Sequence, residues 1–174
     1  MILRLAQRID AGAYSEVFRS ADGERVFKLF INGKHPSNVS QGLTHPHHDG
    51  QRRRTFAAEC EAYEIAMSHP RIRRHVPQFY GRVEVNDVVD QSGNSVANDY
   101  LLDCCYSLEY VTGNERKLGV YVRGEYPPHL AELLRDMDAA GIGYLLDASV
   151  LMPEDSESFQ IIDFATREIE APTY

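Results

Sequence analysis

The stretch Ile9–Phe30, IDAGAYSEVFRSADGERVFKLF, decides how this chain is read. It runs as a strand, a turn carrying Gly12, a second strand, a tight turn at Ala21-Asp22-Gly23-Glu24, and a third strand. Asp-Gly is a strong hairpin signal because both residues tolerate the left-handed backbone that a tight turn needs. Val26, Phe27, Leu29 and Phe30 surround Lys28, so an ammonium group is presented from a strand that is otherwise apolar. An unpaired buried charge is costly. Lys28 therefore calls for a partner carboxylate, an anionic ligand, or both.

At 174 residues the chain is long enough for one domain with a sizeable core, built of two small lobes. The net charge of −8 argues against general nucleic-acid binding. No apolar run approaches the ~18 residues that span a bilayer, and MILRLAQRID lacks a signal-peptide layout. A cytoplasmic monomer with no membrane partner is the expectation. Two arginine clusters, Arg52–Arg54 and Arg71/Arg73/Arg74, run against the acidic balance. They read as solvated helix ends, with docking of an acidic partner as the alternative. Cys60, Cys104 and Cys105 form no disulfide framework, which points to a reducing compartment and to small core residues. His45-Pro46-His47-His48-Asp49 has the composition of a metal site but lies in a loop-like tract, and a surface loop is the simpler reading.

Onward from the hairpins, Asn32–Gln51 has no periodicity, and a tract of that length without structure tends to be functional or mobile. Arg52–Ser68 reads as a helix, with Phe56, Cys60, Tyr63 and Met67 on one face and His69-Pro70 as its stop. Val76–Val85 is strand-like, Asp87–Asn98 a polar hairpin or loop, and Asp99–Val111 a rich apolar strand closed by Thr112-Gly113-Asn114. Pro127-Pro128 opens a second helix, His129–Ala140, which stops at Gly141. Tyr144–Met152 is mostly apolar, and Phe159–Phe164 is a short strand ending in Asp163. The order predicts an α+β fold.

Taken together these pieces resemble the protein-kinase-like superfamily over Ile9–Arg167, in a minimal form lacking most of the C-lobe. Ile9–Phe18 resembles the glycine-rich loop between the first two strands, with Gly12 retained and Asp10 and Ser15 where other glycines would stand. A phosphate approaching the backbone N–H groups there would be obstructed by a side chain at Gly12. Lys28 resembles the third-strand lysine that contacts nucleotide phosphates, and Glu59 the helix-borne glutamate that holds it. Leu108–Gly113, LEYVTG, resembles the hinge that binds adenine. Phe159–Ala165 resembles the strand and Asp-Phe-Gly motif, with Ala165 for Gly and Asp163 as a Mg²⁺ ligand. The resemblance implies an antiparallel N-lobe sheet with one helix over 1–113, then a truncated, mostly helical C-lobe with catalytic hairpins over 114–174, in one structural domain overall.

The catalytic loop departs from the family pattern. After Gly141-Ile142-Gly143 the loop is about two residues short. Tyr144 stands near the expected His and Ser149 where an Mg²⁺-binding Asn would be. Asp147 is the one carboxylate placed to act as base. The site that the resemblance implies therefore has Asp147 and Lys28 as catalytic residues. Gly12, Tyr14, Ser15, Val17, Lys28, Glu59, Glu109 and Val111 would bind ATP, and Asp163 and Ser149 would bind Mg²⁺. The implied activity transfers the γ-phosphate of ATP to a protein hydroxyl, serine or threonine in preference to tyrosine. Small atypical kinase-like proteins of this economy include bacterial effectors that are secreted into a host cell without a cleavable signal peptide and modify host proteins such as chaperones. The alternative is a catalytically dead pseudokinase-like module that binds a nucleotide or a protein.

Overall fold

The computed structural model of the chain describes residues 1–118, 129–144, 148–152 and 158–166. In order these form β1 (Ile2–Arg4), β2 (Arg8–Ala11), β3 (Ser15–Arg19), β4 (Arg25–Ile31), α1 (Pro36–Ser40), α2 (Pro46–Ser68), α3 (Pro70–Arg73) and β5 (Phe79–Arg82). Then follow β6 (Asp87–Val89), β7 (Tyr100–Glu109), β8 (Asn114–Lys117), α4 (Leu130–Ala139), β9 (Ile142–Tyr144), β10 (Ser149–Met152), β11 (Gln160–Ile162) and β12 (Ala165–Thr166). The protein is α+β. It divides into two compact units, Met1–Phe56 with Tyr80–Tyr110, and Ala57–Phe79 with Val111–Tyr174. The division thus falls inside α2 and after the first residue of β5, and it groups Ala57–Phe79 with the C-terminal segment. Among the described residues no helix is long and apolar enough to cross a membrane.

The first unit is built on a five-stranded sheet of order β2-β3-β4-β7-β5. The expected turn joins β3 to β4, with Gly23 in the left-handed region at φ 78°. Register decides which side chains share a face. Glu16, Leu29 and Cys105 are directly opposite one another across β3, β4 and β7, as are Val17, Lys28 and Tyr106. Because side chains alternate along a strand, these two triplets point to opposite faces. Leu29 and Cys105 join Phe18, Leu3, Ile31, Val85, Val88 and Tyr100 in one core cluster. There the parallel pair β1-β6 covers the sheet. On the other face Phe56 of α2 packs edge-on to Phe30 at 5.7 Å and stacks with Tyr106 at 6.3 Å. Burying side chains of this size contributes roughly 1.5–3 kcal/mol each.

Asn32–Gln51 is more ordered than its composition implies. Pro36 and Pro46 each stand at a helix start, where the fixed φ is favourable and the missing N–H costs nothing. His35 caps α1 by accepting from the Ser37 N–H. Asn38 is 1% exposed and donates to the Asn32 carbonyl. Side-chain to backbone hydrogen bonds of this kind are invisible to hydrophobic periodicity. The Arg52–Arg54 reading also needs correction, because only its last two members are solvated. Arg52 is 1% exposed, since successive helical residues rotate by about 100° and Arg52 shares a stripe with Phe56 and Glu59.

In the second unit α4 buries Leu130, Leu133 and Met137 on one face and stops at Gly141, φ 88°. β8, β10 and β11 form an antiparallel sheet in the order β11-β10-β8, while β9 pairs with β12. The C-lobe expectation of mostly helix is therefore corrected. Over 114–174 the described residues form one helix and five short strands. Their runs of two to four residues are too short to sustain isolated helical turns and find partners in hairpins instead. Likewise 1–113 carries α1, α2 and α3 rather than one helix. The strand β11 is fixed from the side, because the Ile161 N–H donates to the His75 carbonyl at 2.7 Å and the His75 ring stacks on Phe159 at 4.7 Å.

Candidate functional site

Lys28 emerges from the middle of β4 on the face that carries Val17 and Tyr106, and it is half-buried. Its Nζ lies 5.9 Å from the ring centres of both Phe30 and Tyr106. At this distance both ring faces attract the ammonium. The β2–β3 hairpin closes with the Gly12 N–H donating to the Ser15 carbonyl at 2.8 Å. At its tip Gly12 is exposed, Tyr14 half-buried and Ser15 buried. A Cβ built on Gly12 would meet nothing closer than the Ser15 oxygen at 3.6 Å, so the fold itself has room for a side chain there. At the far end of the sheet Glu109 is exposed and opposite Arg25, and the following Tyr110 N–H donates to the Glu24 carbonyl.

The second unit gathers another set. Glu59 is 8% exposed on α2, and Tyr63, one turn further along, is fully buried. The Tyr63 ring packs on Phe164 at 4.4 Å and stacks on Phe79 at 5.5 Å. Burial holds its phenol well above the usual tyrosine range, and the negative charges of Asp163 and Glu59 push in the same direction. Asp163 is half-buried between β11 and β12 and has φ 61°. A left-handed aspartate is uncommon and strained, and such strain persists where the surroundings over-determine it. Here the hairpin partners hold both sides: Ile162 pairs with Ser149, and Ala165 pairs with Tyr144.

Ser149 is fully buried on β10, and its hydroxyl donates to Glu115 Oε1 at 2.6 Å. Val111 is half-buried just before β8. Among the described residues no group of three or more His, Cys, Asp or Glu side chains could hold a metal. Asp163 and the Ser149 hydroxyl are still hard oxygen donors of the type Mg²⁺ takes, and that ion commonly uses one or two protein ligands beside phosphate oxygens. Asp147 lies outside the described residues.

The expected residues therefore fall into two groups. Gly12, Tyr14, Ser15, Val17, Lys28 and Glu109 belong to the first unit; Glu59, Val111, Ser149 and Asp163 belong to the second. Sequence reasoning missed Glu115 as the acceptor for Ser149, because an exposed-strand glutamate carries no pattern of its own. It named Tyr63 as an inward residue without seeing that its ring packs on Phe79 and Phe164. Two clefts, each within one unit, lie elsewhere. One of about 640 Å³ is lined by Arg71, Arg74, His75 and the α4 start, and one of about 400 Å³ by Arg8, Gly12, Glu16 and His35. Neither is lined by Lys28, Glu59 or Asp163.

Comparison with protein-family models, curated proteins and solved structures gives no match to this chain.

Proposed function

We propose that the chain is a minimal protein-kinase-like phosphotransferase that uses ATP and Mg²⁺ to modify a protein hydroxyl. One observation carries the reading: Asp163 is held half-buried at the end of β11 in the left-handed region, φ 61°, in the same unit as the buried Glu59 of α2. Burying a carboxylate on a helix and holding an aspartate in a strained conformation both cost stability, and strain of this kind clusters at functional sites. Lys28, on the central strand β4 of the first unit, is the cation that this reading assigns to the nucleotide phosphates.

In this reading Lys28 neutralises and orients the phosphates. Asp163 and Ser149 would hold Mg²⁺, which would offset the phosphate charge. The protein hydroxyl oxygen bonds to the γ-phosphorus as the bond to the β–γ bridging oxygen breaks, and ADP leaves. Asp147 takes the hydroxyl proton. Phosphoryl transfer depends mostly on positioning and charge neutralisation, so a small scaffold suffices.

The experiment is transfer of radiolabelled γ-phosphate with Mg²⁺, comparing the native chain with Lys28→Ala and Asp163→Ala. Label on the chain or on a lysate protein, lost in both variants, is the expected result. No label together with no thermal shift on ATP addition removes the nucleotide reading. A second reading, nucleotide binding without transfer, is favoured by the engagement of the Ser149 hydroxyl with Glu115. A thermal shift by ATP without label selects it.

A further inference from the structure

Arg52 is the most deeply buried charged side chain in the first unit, with 1% of its side chain exposed. Its Nη1 donates to Asp49 Oδ1 at 3.0 Å, and the same Asp49 oxygen accepts the Gly33 N–H at 2.8 Å. Asp49 is therefore held by backbone and in turn holds one arm of the guanidinium. Nε and Nη2, the remaining edge, have no hydrogen-bond partner among the described residues. These two N–H groups are parallel donors, the fork that matches two oxygens of a phosphate or carboxylate. Buried polar atoms are nearly always satisfied, and a half-paired buried guanidinium is among the costlier exceptions.

Placement says which anion. The guanidinium carbon lies 5.8 Å from the centre of the Tyr14 ring, at the tip of the β2–β3 hairpin. One helical turn further along, Phe56 packs on Phe30 and Tyr106, the two rings that Lys28 Nζ overlies. Arg52 is thus on the Lys28 face of the sheet, beneath the hairpin that carries Gly12. The hairpin from Ile9 to Phe18 contains one glycine, Gly12, so few bare backbone N–H groups are offered to an anion.

We infer that Arg52, oriented by Asp49 and roofed by Tyr14, is a second phosphate-binding cation that takes a nucleotide phosphate on its Nε/Nη2 fork. This rests on the nucleotide reading above and assigns a residue that reading does not use. The fork supplies through a side chain the donors that a more glycine-rich hairpin would supply through its backbone.

The test is calorimetric titration of adenosine, Mg²⁺·ATP and pyrophosphate into the native chain, Arg52→Lys and Asp49→Asn. Arg52→Lys keeps the charge and most of the volume but loses the fork. Expected is a loss of about tenfold or more in ATP and pyrophosphate affinity, with adenosine changed by less than about twofold. Asp49→Asn, which loosens the guanidinium, is expected to shift ATP in the same direction by less. Equal ATP and pyrophosphate affinities in native and Arg52→Lys overturn the assignment, as does an equal loss for adenosine. If the native chain binds neither adenosine nor ATP, the nucleotide reading fails by itself, and pyrophosphate alone decides Arg52. Binding lost in Arg52→Lys then keeps the anion site, and no binding removes it. Should Arg52→Lys not fold, the Arg52 Nε–H resonance of the native protein decides instead. A shift on adding pyrophosphate supports the site, and none overturns it.

Discussion

The Tyr100 hydroxyl donates to Glu16 Oε2 at 2.6 Å within the first unit's core. Glu16 is 1% exposed and also receives Arg8 Nη1 at 2.5 Å, with His35 Nε2 3.4 Å away. A buried carboxylate with this many partners is tolerated only while they remain. Burial, then the hydrogen bond to Glu16 and its charge, pushes the Tyr100 phenol far above the usual tyrosine range. Glu16→Ala leaves the Tyr100 hydroxyl buried and unpaired and should lower unfolding free energy by about 3 kcal/mol. Tyr100→Phe, which removes one of several donors, should cost about 1–3 kcal/mol. Urea unfolding checks both, and a Glu16→Ala loss below about 0.5 kcal/mol would show the cluster to be incidental.

Two glycines should respond oppositely to alanine. A Cβ on Gly113 would stand 2.9 Å from the Met152 backbone carbon and oxygen, which cannot yield without moving β10. Gly113→Ala should cost about 1–3 kcal/mol. Gly12→Ala should leave the melting temperature nearly unchanged, because a Cβ there meets nothing closer than the Ser15 oxygen at 3.6 Å, and on the proposed nucleotide reading it should weaken ATP binding. A large stability loss at Gly12 would overturn this division.

Tyr63→Ala removes a ring packed on both Phe79 and Phe164 and should cost about 3–5 kcal/mol. Tyr63→Phe keeps the ring, and its cost should stay below about 1.5 kcal/mol. Hydrogen exchange at Asp163–Thr166 should quicken in the alanine variant alone. Equal protection in both variants would dismiss Tyr63 as the anchor of the Asp163 turn.

Burial pushes the Cys104 thiol up to about 11, and the neighbouring Asp103 charge adds to the shift. The thiolate is the reactive form, so alkylation at pH 8 should be far slower than for an exposed cysteine. The rate should climb about tenfold per pH unit toward 10. Rapid labelling of Cys104 at pH 8, mapped by peptide mass, would contradict its burial.

The hydrogen bond from Arg53 holds Asp103 below the ordinary aspartate range. A carboxylate with a depressed folded value contributes stability above its unfolded value, near about 3.9, and loses it as pH falls through the folded one. Asp103 is 67% exposed at its side chain, so solvent keeps the contribution below about 1 kcal/mol. Asp103→Asn should therefore melt slightly lower than the native chain at pH 7 and together with it near pH 2. A gap that widens on acidification would reverse the sign and refute the pairing.

Much of the local structure was legible in advance. The β3–β4 hairpin, the apolar β7, the face of α4 and its stop at Gly141 follow from side-chain period and turn chemistry, which act between near neighbours. The position of Lys28 on a central strand followed as well. Asn32–Gln51 was not legible, since α1 and the start of α2 depend on His35, Asn38 and Asp49 finding partners outside any repeating pattern. The described residues of 114–174 are less helical than their sequence reads, because a few apolar residues between turn signals fit either period.

The sequence by itself determined the order and period of the strands, the hairpin turn and the presence of a lysine where an apolar strand should have none. These are properties of contiguous residues, decided by φ/ψ sterics and alternation. Only the tertiary structure decided that Arg52 is buried while Arg53 and Arg54 are not, that Glu115 engages Ser149, and that Tyr63 packs on Phe79 and Phe164. Those facts depend on strand register and helix rotation, where a shift of one residue turns a side chain to another face. Which charges are forced out of water, and so which are available to grip an anion, is settled at that level.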